Sequence, residues 1–417
     1  MSRVERLAAV VVNYDSGALA TSCVASLVED WTRSGRPRRN LSVVVVDNAS
    51  PAPQERWFAQ LATLGAGILR SPENGGYARA VNLGAEQLGF SAPGRGVGPL
   101  RGDATGPDAL MILNPDLLFL PGSVGALLEG LARHPDAGVV GPRTSFDPEG
   151  CLQLPPNEVP TPRTHWRDTL AQLDPVWGRA AAAHRARHAA RVWTAQGDLL
   201  QETLSGACLV VPRRTLVALG DEPVLDPVFP LYFEDTDLCR RLARRGLRSM
   251  RIGDAQVCHL WARSSGAGAE FKPEARARFT ASRATWFRRT HGALGLRLAE
   301  AADRVLERWP SALRHRPIHA FEDLGAAAEP VELRLARPAS FVLEVGLEPT
   351  LSLAGGALGE GSSWRFPASV WDWLFEGPVF CRALARADGA LLGAWTLHKT
   401  SRARTAFPAP ALDAEVA

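Results

Sequence analysis

Two stretches, VVVNYDS (10–16) and VVVVDNAS (43–50), decide how this chain folds. Each opens as an unbroken run of valines and then turns polar. A strand with one wet face alternates apolar and polar residues, whereas one that is apolar throughout is covered on both faces. Ala8–Val12 and Leu41–Val46 therefore read as parallel strands in the middle of a sheet. Leu110–Leu113 reads the same way, and Gly67–Leu69 is a shorter, weaker version. Between the first two, Leu19, Cys23, Leu27 and Trp31 recur every four residues, which marks a helix with one apolar face. Tyr77, Val81, Ala85 and Leu88 repeat that spacing after the Gly67 strand. Val124, Leu127, Leu128 and Leu131 do so after the Leu110 strand. Strand and helix in alternation predict an α/β fold with a doubly wound, mostly parallel, Rossmann-like sheet and right-handed crossovers.

The composition agrees with that class. The 417 residues leave room for two or three domains at roughly 150 residues each. With 46% hydrophobic and 22% charged residues the chain is neither collagen-like nor disordered. Its 47 basic and 44 acidic residues leave a net charge of +3, which excludes a dedicated nucleic-acid binder. Six scattered cysteines without a CxxC pair fit a reducing compartment better than a disulfide or zinc scaffold. No run approaches the roughly 20 apolar residues that cross a bilayer. The Leu7–Val12 run is too short for a signal peptide, so a cytoplasmic protein is expected, with peripheral membrane contact left open.

Further along, Ser91–Pro107 is a Gly- and Pro-rich loop, and Pro155–Gln196 reads as an insertion packed over the sheet edge. Thr203–Val211 is another strand, Asp235–Arg245 a short helix and Arg276–Trp309 a long one. From about Glu332 the period changes. Val331–Leu335, Ser340–Val345, Pro378–Arg386 and Leu391–Leu397 predict a small antiparallel β-sandwich. The expected organisation is a catalytic domain over 1–268, a helical connector over 269–328 and an accessory β domain over 329–417.

The chemistry lies where each strand stops. Asn13-Tyr14-Asp15 follows the first, Asp47-Asn48-Ala49-Ser50 the second, Glu73-Asn74-Gly75-Gly76-Tyr77 the third and Asn114-Pro115-Asp116 the fourth. Any one of these also suits a turn or a helix cap. Four in series predict one cleft at the carboxyl edge of the sheet, where open α/β sheets bind ligands. The first strand-to-helix turn lacks GxGxxG and no GxxxxGK[ST] loop occurs, so neither a dinucleotide fingerprint nor a P-loop is present. Asp47 can accept a hydrogen bond from a base or a ribose. The Asn74-Gly75-Gly76 turn admits close backbone approach. Asp116 can share a divalent cation, Mg2+ or Mn2+, with a diphosphate. In FPLYFEDTDLCRR (229–241), Glu234 and Asp235 open a helix, where acids either complement the dipole or act as a general base. His259 ends the probable strand Ala255–His259 and is either structural or a metal ligand. All three tyrosines, Tyr14, Tyr77 and Tyr232, fall in these motifs.

Taken together with ENGGYARAVNLG (73–84), LNPD (113–116), GVVGPR (138–143), LSGACLVV (204–211) and VCHLWARSSG (257–266), these motifs resemble the family 2 inverting glycosyltransferases of GT-A fold. The likeness is greatest to the bacterial rhamnosyltransferase-like branch that builds surface polysaccharides, and it covers roughly the first 265 residues. The resemblance implies a nucleotide-sugar donor and a glycan or lipid-linked glycan acceptor. It implies that Asn13, Asp15 and Asp47 hold the nucleoside end of the donor, with Tyr14, Asn74, Gly75, Asn82 and Asn114 as further donor contacts. It implies Asp116 as metal ligand, with His259 as a second, and Asp235 as general base beside Glu234. The chain departs from the family's DxD motif at Asn114, which leaves a single carboxylate there. The competing reading is a non-catalytic glycan or nucleotide binder on a degenerate transferase domain.

Two later clusters carry a functional and a structural reading each. Phe279, Trp286 and Phe287 stand among Arg276, Arg278, Arg283, Arg288 and Arg289, as a surface for anionic lipid or as a helix packed on its own core. Trp364, Trp371, Trp373 and Trp395 are sugar-stacking platforms or core of the β domain.

Overall fold

The computed structural model describes residues 4–90, 106–260, 273–310, 313–314 and 316–404. The chain forms two compact units, one built from Met1–Thr144 with Gly197–Thr285 and the other from Ser145–Gln196 with Trp286–Thr405.

The first unit opens with β1 (Leu7–Asn13), α1 (Gly17–Arg33), β2 (Leu41–Asp47), α2 (Glu55–Thr63), β3 (Ala66–Arg70) and α3 (Tyr77–Gln87). It continues through β4 (Ala109–Leu113), β5 (Leu117–Phe119), α4 (Ser123–Arg133) and β6 (Ala137–Ser145). After α5 (Pro162–Leu173) and α6 (Pro175–Thr194), which belong to the second unit, come β7 (Leu199–Gln201), β8 (Cys208–Pro212), α7 (Arg213–Leu219), α8 (Glu234–Ala243) and β9 (Arg248–His259). The sheet order is β3-β2-β1-β4-β8-β6-β9-β5, with β7 paired to β9.

The valine runs fold as their pattern dictates. Leu7, Ala9 and Val11 face one way, into a core with Cys23, Leu27 and Trp31 of α1. Ala8, Val10 and Val12 face the other, against Ala78, Val81 and Ala85 of α3. Burying each Val or Leu from both sides contributes roughly 1.5–3 kcal/mol, which is why alternation is absent from these strands. β3, β2, β1 and β4 are parallel, in a register that sets Asn13 directly opposite Asp47.

Beyond β4 the sheet changes direction. β8 runs antiparallel to β4 with Cys208 opposite Leu113, so the approach to β8, Gly206-Ala207, reaches the edge where β4 ends. β5 is antiparallel to β9 with Leu117 opposite His259, which returns the end of β9 to the same edge. The strand expected over Thr203–Val211 is confined to Cys208–Pro212; Gly206 and Ala207 form a turn instead.

α9 (Pro273–Arg308) starts in the first unit and continues in the second, interrupted at Gly292, whose φ of 68° is outside the helical range. The second unit also holds β10 (Glu322–Ala327), β11 (Glu332–Gly346), β12 (Ala354–Arg365), α10 (Ala368–Trp373), β13 (Gly377–Ala385) and β14 (Leu391–Lys399). Its strands form one five-stranded sheet, ordered β10-β14-β13-β11-β12. The segment read as an insertion over the large sheet packs here: Trp193 of α6 clusters with Val342 of β11, and Ala182 accepts a hydrogen bond from Arg382 of β13 at 3.0 Å. Trp371, Trp373 and Trp395 are buried, so they are core residues and present no sugar-stacking face. Trp286 and Phe287 are 1% and 0% exposed, which corrects the reading of these two rings as a lipid-facing surface. No helix among the described residues is long and apolar enough to cross a membrane.

Candidate active site

The tips of β1 and β2 are tied together. Asn13 donates to Asp47 Oδ1 at 2.9 Å and to Ser50 at 3.2 Å, while Ser50 donates to the same Oδ1 at 2.5 Å. The side-chain Oδ1 of Asn13 accepts from the backbone amide and hydroxyl of Ser16. Asp15 is exposed beside this knot, and its carboxylate accepts from the Ala52 amide at 3.1 Å. Tyr14 is half-buried next to it. The third tip joins through Asn48, which donates to Asn74 Oδ1 at 3.0 Å and accepts from the Gly75 amide. Gly76 closes that turn at φ 89°, and a Cβ there would sit 2.4 Å from the Pro230 carbonyl, so only glycine fits. Asn82 lies off this edge: both ends of its amide bind the backbone of Leu225.

The acidic pair arrives on a strained turn. Among the described residues five non-glycines have positive φ, and four of them (Asp15, Ala49, Tyr232 and Phe233) lie in these loops. Such conformations cost about 1–3 kcal/mol each and collect at functional sites. Tyr232 and Phe233, at φ 65° and 70°, turn the chain sharply into α8, and both rings pack on Phe279 at 5.6 Å. That corrects the lipid-facing reading of Phe279 as well. Asp235 Oδ2 accepts from the Gly206 amide at 2.8 Å, and Oδ1 accepts from the Thr236 amide at 2.6 Å. Glu234 is buried and its Oε2 has no hydrogen-bond partner.

Burial raises both acids, by different amounts. The Glu234 carboxyl is held well above its ordinary value, first by burial and then by Asp235. Asp235 is raised by burial too, but the Gly206 and Thr236 donors work in the opposite direction. Burial thus opposes ionisation more strongly at Glu234 than at Asp235, whose carboxylate has two amide donors, and environments that differ in this way separate the roles of paired acids.

The residues expected to hold a metal lie in the loop between β4 and β5 and at the end of β9. His259 Nε2 is 3.3 Å from Asp116 Oδ1 and 3.5 Å from the Asn114 amide nitrogen. Asp116 is 2% exposed and its Oδ1 lacks a hydrogen-bond partner. Among the described residues no three His, Cys, Asp or Glu side chains assemble a complete cage. An unsatisfied buried carboxylate oxygen beside an imidazole nitrogen fits a hard divalent cation that takes one or two protein ligands and completes its shell with phosphate oxygens and water.

One backbone segment links the two sides. Gly206 donates to Asp235 and accepts from the Tyr77 hydroxyl at 3.2 Å, and the next residue, Ala207, accepts from the Asn114 amide at 2.9 Å. The Tyr77 hydroxyl is raised well above its usual value by burial and then by Glu234, Asp235 and Asp116 in turn. The Gly206-Ala207 backbone thus ties Asp235 on one side to the Asn114–Asp116 loop on the other.

Gly206, Tyr77 and Arg278 were not singled out from the sequence as site residues. Arg278 of α9 donates to the Asn74 carbonyl at 3.0 Å, which places a cation beside the Asn-Gly turn. Its signal is lost in an arginine-rich chain. Gly206 and Tyr77 sit inside quoted motifs, but their meeting depends on the antiparallel return of β8. The His259 motif continues past 260 into residues outside those described, as does most of the 91–107 loop.

Two consequences can be measured. A Cβ on Gly206 would lie 3.1 Å from Asp235 Oδ2, so Gly206→Ala pushes the acid aside by a few tenths of an ångström. Turnover should fall about 10- to 100-fold with donor affinity retained; unchanged turnover would separate Asp235 placement from catalysis. For Glu234, a folded-state pKa above the unfolded one means stability is complete below about 4.5 and is lost as pH rises toward the folded value. Glu234→Gln should therefore melt about 2–4 °C higher than the parent at pH 8 and equally at pH 4. Equal melting at both pH values would show that burying this carboxyl carries no charge penalty.

Comparison with known proteins adds independent information. The N-acetylglucosaminyl-diphospho-decaprenol L-rhamnosyltransferase of Mycobacterium tuberculosis strain H37Rv is 32% identical over 275 residues, covering 62% of this chain and 78% of that protein. The protein of the same name from strain CDC 1551 / Oshkosh matches to the same extent. Among solved structures, residues 1–349 of S. aureus TarS align with a TM-score of 0.42 at 12% identity, covering 73% of this chain and 89% of that one. The Pyrobaculum calidifontis mannosyltransferase PcManGT, in complex with GDP-Man and Mn2+, aligns with a TM-score of 0.36 at 18% identity, covering 73% and 76%. Structural likeness at that level carries no assignment. No protein-family profile matches the chain.

Proposed function

Since the chain belongs to the family 2 glycosyltransferases, on their rhamnosyltransferase-like branch, we propose that its cleft transfers a sugar from a nucleoside diphosphate to a lipid-linked glycan with inversion at the anomeric carbon. The name of the Mycobacterium relatives gives L-rhamnose as the sugar and a polyprenyl-diphosphate-linked N-acetylglucosamine as the acceptor, and we carry both to this chain. The observation that supports the mechanism is the Gly206-Ala207 backbone, which contacts Asp235, Tyr77 and Asn114, two residues before Asp116.

The β1–β2 knot presents Asp15 and Asp47 to the nucleoside, and the Asn48–Asn74 tie holds the third tip beside them. Asp116 and His259 would hold a divalent cation, with Asn114 adjacent. When bound, such an ion supplies positive charge to a departing diphosphate. Asp235, held by hydrogen bonds from the Gly206 and Thr236 amides, accepts the proton of the acceptor hydroxyl. That oxygen forms a bond to the anomeric carbon as the carbon–oxygen bond to the diphosphate breaks, and the diphosphate leaves with the electron pair. A single displacement inverts the centre. Burial of Glu234 opposes a second negative charge beside the base.

The test is direct. The purified chain, a nucleoside diphosphate-L-rhamnose, Mn2+ and a synthetic N-acetylglucosaminyl-diphospho-polyprenol should yield one added deoxyhexose by mass spectrometry, with inverted anomeric configuration by NMR. A product of retained configuration would refute the single displacement. Transfer of a different sugar with rhamnose excluded would refute the donor.

A further inference from the structure

The helix that follows Gly292 has two apolar faces where a packed helix needs one. Leu296, Ala299 and Ala302 are buried and face the second unit's interior. Leu294, Leu298, Val305 and Trp309 are 70%, 42%, 36% and 39% exposed. Their spacings of four, seven and four residues bring them within about 60° of one another at about 100° per residue. They form a single row along some 24 Å of helix at about 1.5 Å per residue. Arg297, Arg304 and Arg308 are exposed along one flank of that row. Glu300, which pairs with Arg304 at 3.9 Å, and Glu307 lie further round, beyond the arginines.

A second exposed apolar pair lies in the same unit, at the α5–α6 corner, where Arg316 donates to the Leu173 carbonyl at 3.3 Å and pairs with Asp174. At that corner Val176 and Trp177 are 62% and 56% exposed. Tryptophan with one face apolar and one edge polar suits a membrane–water boundary. A row of leucines flanked by arginines is the pattern of a helix lying in that boundary, where apolar burial and attraction to anionic headgroups act together.

We propose that this row, Leu294 to Trp309 with its arginine flank, seats the second unit on an anionic lipid surface. The occupant is chosen by charge: the apolar row is bordered by cations on the side a headgroup layer would meet. The inference rests on the lipid-linked acceptor proposed above and locates where the enzyme would meet the membrane that holds it. It also replaces the sequence reading that gave this role to Phe279, Trp286 and Phe287.

The full-length protein should sediment with phosphatidylcholine vesicles containing about one-third phosphatidylglycerol and not with phosphatidylcholine alone. High salt should weaken that binding. Leu294→Glu with Leu298→Glu should cut vesicle partition about 100-fold, near tenfold per residue, with the melting temperature and donor turnover on a short-chain water-soluble acceptor unchanged. Arg297→Glu, Arg304→Glu and Arg308→Glu together should abolish the preference for phosphatidylglycerol. Undiminished partition in the double leucine variant would overturn the proposal. So would a parent dimer that the same variant converts to monomer in sedimentation equilibrium, because the row would then bind a second copy. Donor turnover is measured without vesicles, so a protein that transfers sugar but ignores lipid fails this inference alone, and one that binds lipid without transferring sugar fails the functional reading alone.

Discussion

Asp235→Asn is expected to lower the rate of sugar transfer by about 10²- to 10⁴-fold, the usual contribution of a general base. Donor affinity should move by less than about threefold, because a group that acts only in the transition state leaves ground-state binding intact. The geometry supports this separation. Asp235 sits against Gly206 and Thr236 and makes no tie to the β1–β2 knot. Burial raises its pKa, so the acid limb of the parent's kcat/KM profile should lie above the ordinary carboxylate range, with activity falling as pH drops through it. In the variant that limb should disappear. Asparagine has one acceptor where aspartate has two, so its amide faces either the Gly206 or the Thr236 donor, and some stability loss is expected. Thermal unfolding measures that loss separately. A donor affinity that falls in step with turnover would make this acid part of the framework of the cleft.

The second large effect is at Asp116. Asp116→Ala should reduce the Mn2+-dependent part of donor affinity at least about 100-fold, and Mn2+ alone should no longer raise the melting temperature. His259→Ala should show a smaller loss of the same kind. The unpartnered Oδ1 sharpens the test. A buried carboxylate oxygen without a donor is a cost to the metal-free fold, so its removal should leave metal-free stability equal or higher. A metal-free protein that unfolds more easily, with metal dependence intact, would show that Asp116 holds the loop and not the ion.

The parallel half of the sheet was legible because burial on both faces writes itself as continuous apolar runs. β1, β2, β3 and β4 fall within one or two residues of the strands read from Ala8, Leu41, Gly67 and Leu110. The polar tips were legible for the same reason, as the abrupt ends of those runs. β12 was not, because Ala354–Arg365 carries four glycines and no apolar period. Its glycines answer to neighbours: a Cβ on Gly356 would meet the Trp193 ring at 2.1 Å, and one on Gly359 would meet Phe341 at 2.3 Å. Local propensity cannot register a ring that arrives from 163 residues away in sequence. The two strands expected from Val331 and Ser340 merge into β11, whose pairing with β12 shifts between Arg334 and Ala339. Gly206 and Tyr77 were hidden for a related reason, since an antiparallel strand brings them together. Periodicity likewise marks α9 as helical but not which of its rings have neighbours, so both the lipid-facing and the packed reading of Trp286 stayed open and Leu294 was passed over.

The reversal of strand direction at β8 divides the labour of the cleft. Under the proposed assignments, every side chain that grips the nucleoside comes from loops leaving β1 and β2, while the proton acceptor and the imidazole come from segments beyond the reversal. Evolution can then exchange one group without rebuilding the other. Chimaeras joined between α4 and β8 should inherit nucleotide preference from the leading parent and acid–base behaviour from the trailing one.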